Sequence, residues 1–344
     1  MAFSKIIGQN KAKRILEEAI EREKLSHAYI FTGIGGVGKT SAARALAMAL
    51  NCPESRNSES CGICPTCRQI LNGNSPDFLI VGREANSQVI KVEQIRELNR
   101  SLGFAPFGQY RVCVFEEAER MNLEAANSFL KTLEEPPPGN ILVLNTMEPR
   151  DLLPTIVSRC QRVRFQPLTR DEIASWLSKN RGVRGDKAKI LAAVSGGSLG
   201  HAVEICDGDF LDKGVDWISR VEKLGQISEG EAFNIAVSCA DDGKKMGLDS
   251  SDKGSAGVLD MLKVWLSWYR DVLLLRTDAP RGLVINRDFI VKLKKIAGSF
   301  NIENLLESIW IIDKAQSDLK KMRNIRLVIE RMTMRLKYLA TSCN

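Results

Sequence analysis

The sequence predicts an α/β phosphate-loop domain built on a parallel sheet, followed by an all-helical remainder, and three observations carry that expectation. Short apolar runs alternate with helical patterns through the first half of the chain. A glycine-rich segment ending in Lys39-Thr40 lies between one such run and the next helix. Beyond Pro167 the strand-like runs stop and only helical spacing remains.

Taken in order, "AYIFTG", "RVCVFEE", "NILVLNT" and "RVRFQPL" read as strands, with "TSAARALAMALN" and "EAANSFLKTLEE" as helices between them. Such alternation places helices on both faces of a mostly parallel sheet. The prolines of "EEPPPGN" end a helix and turn the chain into the next strand. Thr169 and Glu172 stand at capping-box spacing and open a helical module. The turn-rich "VSGGSLG" offers Ser198 as the cap of another helix. In "GVLDMLKVWLSWYRDVLLL" apolar residues recur at Leu259, Leu262, Leu266, Tyr269 and Leu273, the spacing of one helix face. Residues 241–256 read as an exposed loop between helices.

A chain of 344 residues exceeds one compact core, so two or three domains are expected. Hydrophobic content of 44% and charged content of 26% describe an ordinary soluble protein. The net charge of +7 is compatible with nucleic acid nearby but does not by itself argue contact with it. No apolar stretch has signal-peptide or membrane-spanning length, so a cytoplasmic location is expected. In such a reducing compartment nine cysteines point away from disulfides, and clustering among them reads as metal binding. His27 and His201 are the only histidines, and both read as structural.

Gly33 to Thr40 fits the pattern G-x-x-x-x-G-K-[ST]. Gly33, Gly35, Gly36 and Gly38 let backbone N–H groups face the phosphates of ATP or ADP, Lys39 reaches the β and γ phosphates, and Thr40 offers its hydroxyl to Mg²⁺. A chance glycine-rich turn is the competing reading, and the strand-before, helix-after context weighs against it. Cys52, Cys61, Cys64 and Cys67 are spaced C-x₈-C-x₂-C-x₂-C, a set able to close a tetrahedral structural Zn²⁺ site. An iron–sulfur cluster or unmetallated thiols remain the alternatives, the first lacking the usual C-x₃-C-P continuation.

Glu116 and Glu117 fill the two carboxylate places at the end of the second characteristic strand, one to hold Mg²⁺ and one to polarise attacking water. Glutamate at the metal-side position is one carbon longer than aspartate, a displacement of about 1.5 Å. Mg²⁺ tolerates poor octahedral geometry badly, so binding survives that change better than hydrolysis does. An acidic helix start explains the same residues. Asn145 and Thr146 end an apolar run where a side chain can meet a γ-phosphate, and a strand-ending turn explains them almost as well. Arg159, within Ser158-Arg159-Cys160, reads either as a finger for a partner's nucleotide or as a solvated surface charge.

The combination of "GIGGVGKT", the four-cysteine insertion, "FEEAERMNLEAANSFLKTLEEPPP", "LNTMEPRDLLPTIVSRCQ" and "GGSLGHA" resembles the clamp-loader AAA+ family of bacterial DNA polymerase III. The resemblance covers nearly the whole chain. It implies a RecA-like AAA+ domain over 1–166 with a zinc module at 52–67, a helical lid over 167–206, and an all-α collar over 207–344. The collar would assemble a hetero-pentamer with motor (gamma/tau) and delta subunits, and the complex would reach the sliding clamp and primer-template DNA. That complex is part of a DNA-directed DNA polymerase, a nucleotidyltransferase. By the same resemblance Arg159 matches an arginine finger acting on the adjacent motor's ATP. Thr146 best matches the first sensor position, with Asn145 a near alternative, and the four cysteines match the family's zinc module.

Two departures favour a stator over a motor subunit. Gly200 stands where a motor is expected to carry a sensor arginine, and Glu116 replaces an aspartate. With the phosphate loop intact, the expectation is a subunit that binds nucleotide with weak or absent ATPase of its own. The alternative is a gamma/tau-type ATPase motor of the same assembly. An AAA+ motor outside replication fits less well, because of the cysteine insertion and the helical collar pattern.

Overall fold

Five parallel strands form one sheet in the order β2-β3-β4-β1-β5. The computed structural model describes residues 2–84, 87–183, 185–208, 210–245, 253–280, 283–286, 289–321 and 323–341. The elements of the first half are α1 (Asn10–Glu21), β1 (Ala28–Thr32), α2 (Lys39–Asn51), α3 (Pro65–Leu71), β2 (Phe78–Val81) and α4 (Val92–Leu102). They continue with β3 (Arg111–Phe115), α5 (Leu123–Glu134), β4 (Asn140–Thr146), α6 (Pro154–Val157) and β5 (Gln161–Arg164). The expected α/β class and the four expected strands are present.

β1, β3 and β4 are buried along their whole length, as central strands covered on both faces must be. Alternation divides their side chains between two cores. Tyr29, Phe31, Val112, Val114, Ile141 and Val143 pack towards α1, α2 and α3. Ala28, Ile30, Cys113, Phe115, Leu142 and Leu144 pack towards α4, α5 and α6. Five alanines of α2 lie buried on the first face, where small side chains bring the helix close to the sheet.

β2 was absent from the strands expected from sequence. It is a four-residue edge strand with the pattern buried, intermediate, exposed, intermediate, which leaves too little alternation to read. Its N-terminal neighbour Asp77 organises the α4–β3 connection, accepting hydrogen bonds from the N–H groups of Phe107 (3.0 Å) and Gly108 (2.6 Å). Arg111, 3.7 Å from the Asp77 carboxylate, donates to the carbonyls of Pro76, Ser101, Phe104 and Ala105. Asn51, the last residue of α2, accepts from Gln109 and Tyr110.

The second half is helical: α7 (Arg170–Arg181), α8 (Asp186–Val194), α9 (Leu199–Asp207), α10 (Phe210–Lys223) and α11 (Glu229–Lys245). α12 (Lys253–Arg276), α13 (Ile290–Ser299), α14 (Ile302–Lys320) and α15 (Ile325–Thr341) follow. The Thr169–Glu172 capping box is made, with reciprocal bonds of 2.8 and 3.3 Å, and Ser198 caps α9 through the N–H of His201. Two compact units result: Met1–Ile173 with Gly197–His201, and Ala174–Gly196 with Ala202–Asn344. The segment 167–206 is therefore shared between them.

The expected loop over 241–256 is shorter than the sequence suggests. Residues 241–245 continue α11 and 253–256 begin α12, while 246–252 lie outside the described residues. The buried stripe of α12 also differs in phase from the expected one. Val258, Met261, Leu262, Trp265, Trp268, Tyr269 and Val272 are buried, whereas Leu259, Leu266 and Leu273 are only partly so. The two tryptophans set the phase, because their area outweighs that of the leucines. Trp265 also donates its indole N–H to the Trp217 carbonyl at 2.9 Å.

Replacing Asp77 by alanine would strand the Arg111 guanidinium, only 4% exposed, without its counter-charge. The expected loss is about 3 kcal/mol of unfolding free energy. A urea midpoint equal to that of the unsubstituted chain would rule this role out.

Candidate functional site

The parallel sheet brings the C-terminal ends of β1, β3 and β4 to one edge, and the phosphate loop, Glu116 and Asn145 lie there. The loop leaves β1 and runs into α2, whose first two residues are Lys39 and Thr40. Gly36 has φ 70° and its carbonyl accepts the Gly200 N–H at 2.9 Å. A Cβ at Gly36 would stand 2.3 Å from Ser198 Oγ, and one at Gly200 would stand 2.9 Å from the Gly36 Cα. The position where a motor subunit is expected to carry a sensor arginine therefore has no room for a side chain.

Lys39 donates its ammonium to the carbonyls of Gly33 and Ile34. Burial pulls its pKa below the ordinary lysine value, and the nearby Glu119 and Glu117 carboxylates oppose that shift. The Thr40 hydroxyl donates to Glu116 Oε1 at 3.1 Å and accepts from Asn145 Nδ2, also at 3.1 Å. Asn145 Oδ1 and Glu119 Oε2 are buried without a hydrogen-bond partner. An ammonium, a hydroxyl, a carboxylate and an unsatisfied amide carbonyl converging at a loop rich in N–H groups fit a magnesium–phosphate group.

The two strand-end residues separate, as neighbours on a strand must. Asn145 reaches Thr40, while the Thr146 hydroxyl donates to the Glu148 carbonyl at 3.1 Å. The structure thus brings the near alternative, rather than Thr146, to the loop. Glu117 has the left-handed φ of 52°, and its carboxylate accepts from Arg83 Nε at 2.7 Å. Arg83 was not singled out from sequence. It follows β2 closely, and with that strand unread nothing marked the arginine as a neighbour of Glu117.

Arg159 follows α6 on the surface of the first unit. Its guanidinium bonds Glu134 Oε1 at 2.7 Å and the Thr155 carbonyl at 3.0 Å. Those contacts hold it towards α5 and α6, apart from Lys39, Thr40 and Glu116.

The four cysteines gather at the far end of α2. Cys52 follows the helix directly, Cys64 caps α3, and Cys67 lies in the first turn of α3. Their Sγ atoms all lie within 4.8 Å of one another, with Cys52 to Cys61 at 3.6 Å and Cys52 to Cys64 at 3.9 Å. A tetrahedron with zinc–sulfur bonds has edges of about 3.8 Å, so the set fits such an ion. The N–H groups of Cys61, Cys64 and Cys67 point at the Sγ of Cys52, Cys61 and Cys64, at 3.4, 3.3 and 3.4 Å. The N–H groups of Ile63 and Cys64 pull the Cys61 pKa down, whereas burial pushes Cys67 up to about 12.

Comparison with known proteins identifies the family. The chain is 31% identical to DNA polymerase III subunit delta-prime of Bacillus subtilis over 331 residues, covering 96% of each chain. The chain belongs to the DNA polymerase III clamp-loader subunit family. The family model described as "DNA polymerase III, delta subunit" matches residues 8–169. DNA polymerase III subunit tau of B. subtilis is 29% identical over 95% of this chain. That of Escherichia coli is 33% identical over 68% of this chain. The matches span only 60% and 37% of those two tau proteins. A solved DNA polymerase III gamma subunit-related protein of Thermotoga maritima overlaps 96% of this chain and 99% of its own, at 18% identity and a TM-score of 0.47. No helix among the described residues is long and apolar enough to cross a membrane.

Metal analysis of the purified chain is expected to find about one ion per molecule, absent from Cys64→Ser. A metal-free chain that keeps its thermal midpoint in the presence of a strong chelator would remove the cysteine cluster as a metal centre.

Proposed function

We propose that this chain is a delta-prime-type stator: it holds nucleotide, turns it over slowly or not at all, and presents Arg159 to the ATP of an adjacent motor subunit. The contact between Gly36 and Gly200 carries the reading. With no side chain accommodated at residue 200, the chain's own nucleotide would lack the lid cation that a motor supplies to developing phosphate charge. The match to a delta-prime subunit along 96% of both chains supports the same choice.

In this reading Lys39 and the loop N–H groups hold the phosphates, and Thr40 and Glu116 hold Mg²⁺. A bound Mg²⁺–ATP would supply the polarised γ-phosphate. Asn145 offers its buried amide carbonyl to water at that edge, taking the sensor place that the resemblance gives to Thr146 with Asn145 as the near alternative. Glu117 is the carboxylate available to polarise attacking water, and its ion pair with Arg83, exposed on the Glu117 side, competes with that task only weakly. Arg159 would have to leave Glu134, an exposed pair that contributes little, together with the Thr155 carbonyl. The cysteine cluster holds a structural Zn²⁺, because four thiolates leave no open position for a substrate. The helical segment 207–344 is the collar through which the subunit joins motor and delta partners, and the loaded clamp and primed DNA are reached through that complex.

A gamma/tau-type motor is the second reading, favoured by the complete Lys39–Thr40–Glu116–Asn145 set. Two measurements separate them. Nucleotide binding by the isolated chain should fall about 100-fold in Lys39→Ala, with steady-state ATP hydrolysis near background in both. Turnover of ~1 per second or faster, abolished by Lys39→Ala, would make the chain a motor. In the assembled complex, Arg159→Ala should lower ATP turnover by about 10³-fold while leaving this chain's own nucleotide affinity unchanged. Full turnover of the complex with that variant would exclude the finger.

A further inference from the structure

The cysteine cluster is unevenly enclosed. Cys52, Cys64 and Cys67 are 7%, 8% and 0% exposed, whereas Cys61 is only half-buried. Its neighbour Gly62 has φ 74°, and a Cβ there would meet nothing within 4 Å. Ile63, next along the chain, is 68% exposed. A small solute therefore has an open approach to one sulfur of the four.

That sulfur also has a partner in place. Cys61 Sγ lies 3.6 Å from Cys52 Sγ, closer than the 3.9 Å between Cys52 and Cys64. Closing the first pair to a disulfide takes a movement of about 1.6 Å. Cys61 sits between α2 and α3 and belongs to neither, so the movement asks nothing of either helix. A bond from Cys61 to Cys64 would instead spoil the cap of α3, where the Cys64 sulfur accepts the Cys67 N–H at 3.4 Å. Other thiols among the described residues are poorer targets for an oxidant. Burial pushes Cys113 and Cys160 up to about 12, and burial with the Asp207 charge raises Cys206. Cys239 is 2% exposed and accepts a hydrogen bond from Arg220 at 3.4 Å.

We propose that the cluster is a peroxide-responsive modification site, with Cys61 the sulfur that is oxidised and Cys52 the sulfur that resolves it. The inference rests on the reading of the cluster as a zinc centre, because ligation keeps the sulfurs as thiolates. The Cys61 thiolate attacks one oxygen of hydrogen peroxide, the O–O bond breaks, and Cys61 becomes a sulfenic acid as hydroxide leaves. The Cys52 thiolate then attacks the Cys61 sulfur, the S–O bond breaks, and a second hydroxide leaves as the disulfide forms. The two sulfurs lose two electrons, peroxide gains them, and both hydroxides take protons from solvent to become water. Cys64 and Cys67 alone do not close a tetrahedral site, so the ion departs. α3 keeps its place through Cys67 and Ile70, which are buried in the sheet core, but loses its metal tie to Cys52. A transient, reducible bond is the form that disulfides usually take in reducing compartments.

The test uses the full chain, with its metal content measured first. Hydrogen peroxide should release the ion to a chromogenic chelator with the loss of two thiols per ion. Peptide mapping by mass spectrometry should find Cys52 joined to Cys61, and dimedone present during the pulse should label Cys61. The thermal midpoint should fall on oxidation and return with a dithiol reductant and added zinc. Cys206→Ser should release its metal at an unchanged rate. Metal retained under peroxide that has already oxidised Cys206 would overturn the proposal. So would a disulfide or dimedone adduct confined to Cys64 and Cys67, or release that the reductant and zinc do not reverse. A chain isolated without metal overturns the zinc reading and this inference together, whereas a loaded chain that keeps its ion overturns this inference alone.

Discussion

Parallel pairing of β1 with both β4 and β5 is the constraint on which the nucleotide edge depends. It fixes Phe31 opposite Asn145 and Thr32 opposite Thr146, so the loop leaving β1 emerges beside the end of β4. Pairing of β3 with β4 then delivers Glu116 to the same edge. Thr40, at the start of α2, is the point at which the three segments meet through one hydroxyl. Thr40, Glu116 and Asn145 lie far apart in sequence, and no local propensity would assemble them. Burial of the central strands on both faces holds the register, because a slip of one residue would exchange the two cores.

Holding a nucleotide and hydrolysing it place different demands on this edge. Holding needs fixed donors and a metal-side carboxylate, and those are joined in one hydrogen-bonded set. Hydrolysis also needs a second carboxylate free to meet water. Glu117 has a left-handed backbone and is paired with Arg83, and on the proposed reading that pairing disfavours turnover more than it disfavours holding. The extra methylene of Glu116 acts in the same direction, since an octahedral cation is exacting about where its oxygens lie.

Much of this was legible in the sequence, and the reasons are physical. The phosphate loop and the cysteine set are local patterns in which chemistry dictates spacing, so Gly33 to Thr40 and Cys52 to Cys67 can be recognised without a fold. The central strands are apolar runs bounded by turns. β2 escaped because an edge strand is half solvated and only four residues long. That omission hid the Arg83–Glu117 pair, which exists only because β2 lies beside β3. The choice between Asn145 and Thr146 depends on which face of β4 points at α2, and a strand buried on both faces carries no polar alternation to reveal it. In α12 the periodicity was visible but its phase was not, because two indoles outweigh a leucine row.

The paired glycines at 36 and 200 also bear on how such subunits diverge. On the proposed reading stator and motor differ at residues 200 and 116, and at 200 a single codon change would supply the missing arginine. The backbone contact removes that shortcut. Any side chain introduced at 200 meets the Gly36 Cα, so the phosphate loop must move before a new cation can be useful. Gain of a sensor would thus pass through an intermediate with a displaced loop and weakened nucleotide holding. On the proposed reading the valley between the two forms is steric, set by the close approach of Gly200 to the Gly36 Cα.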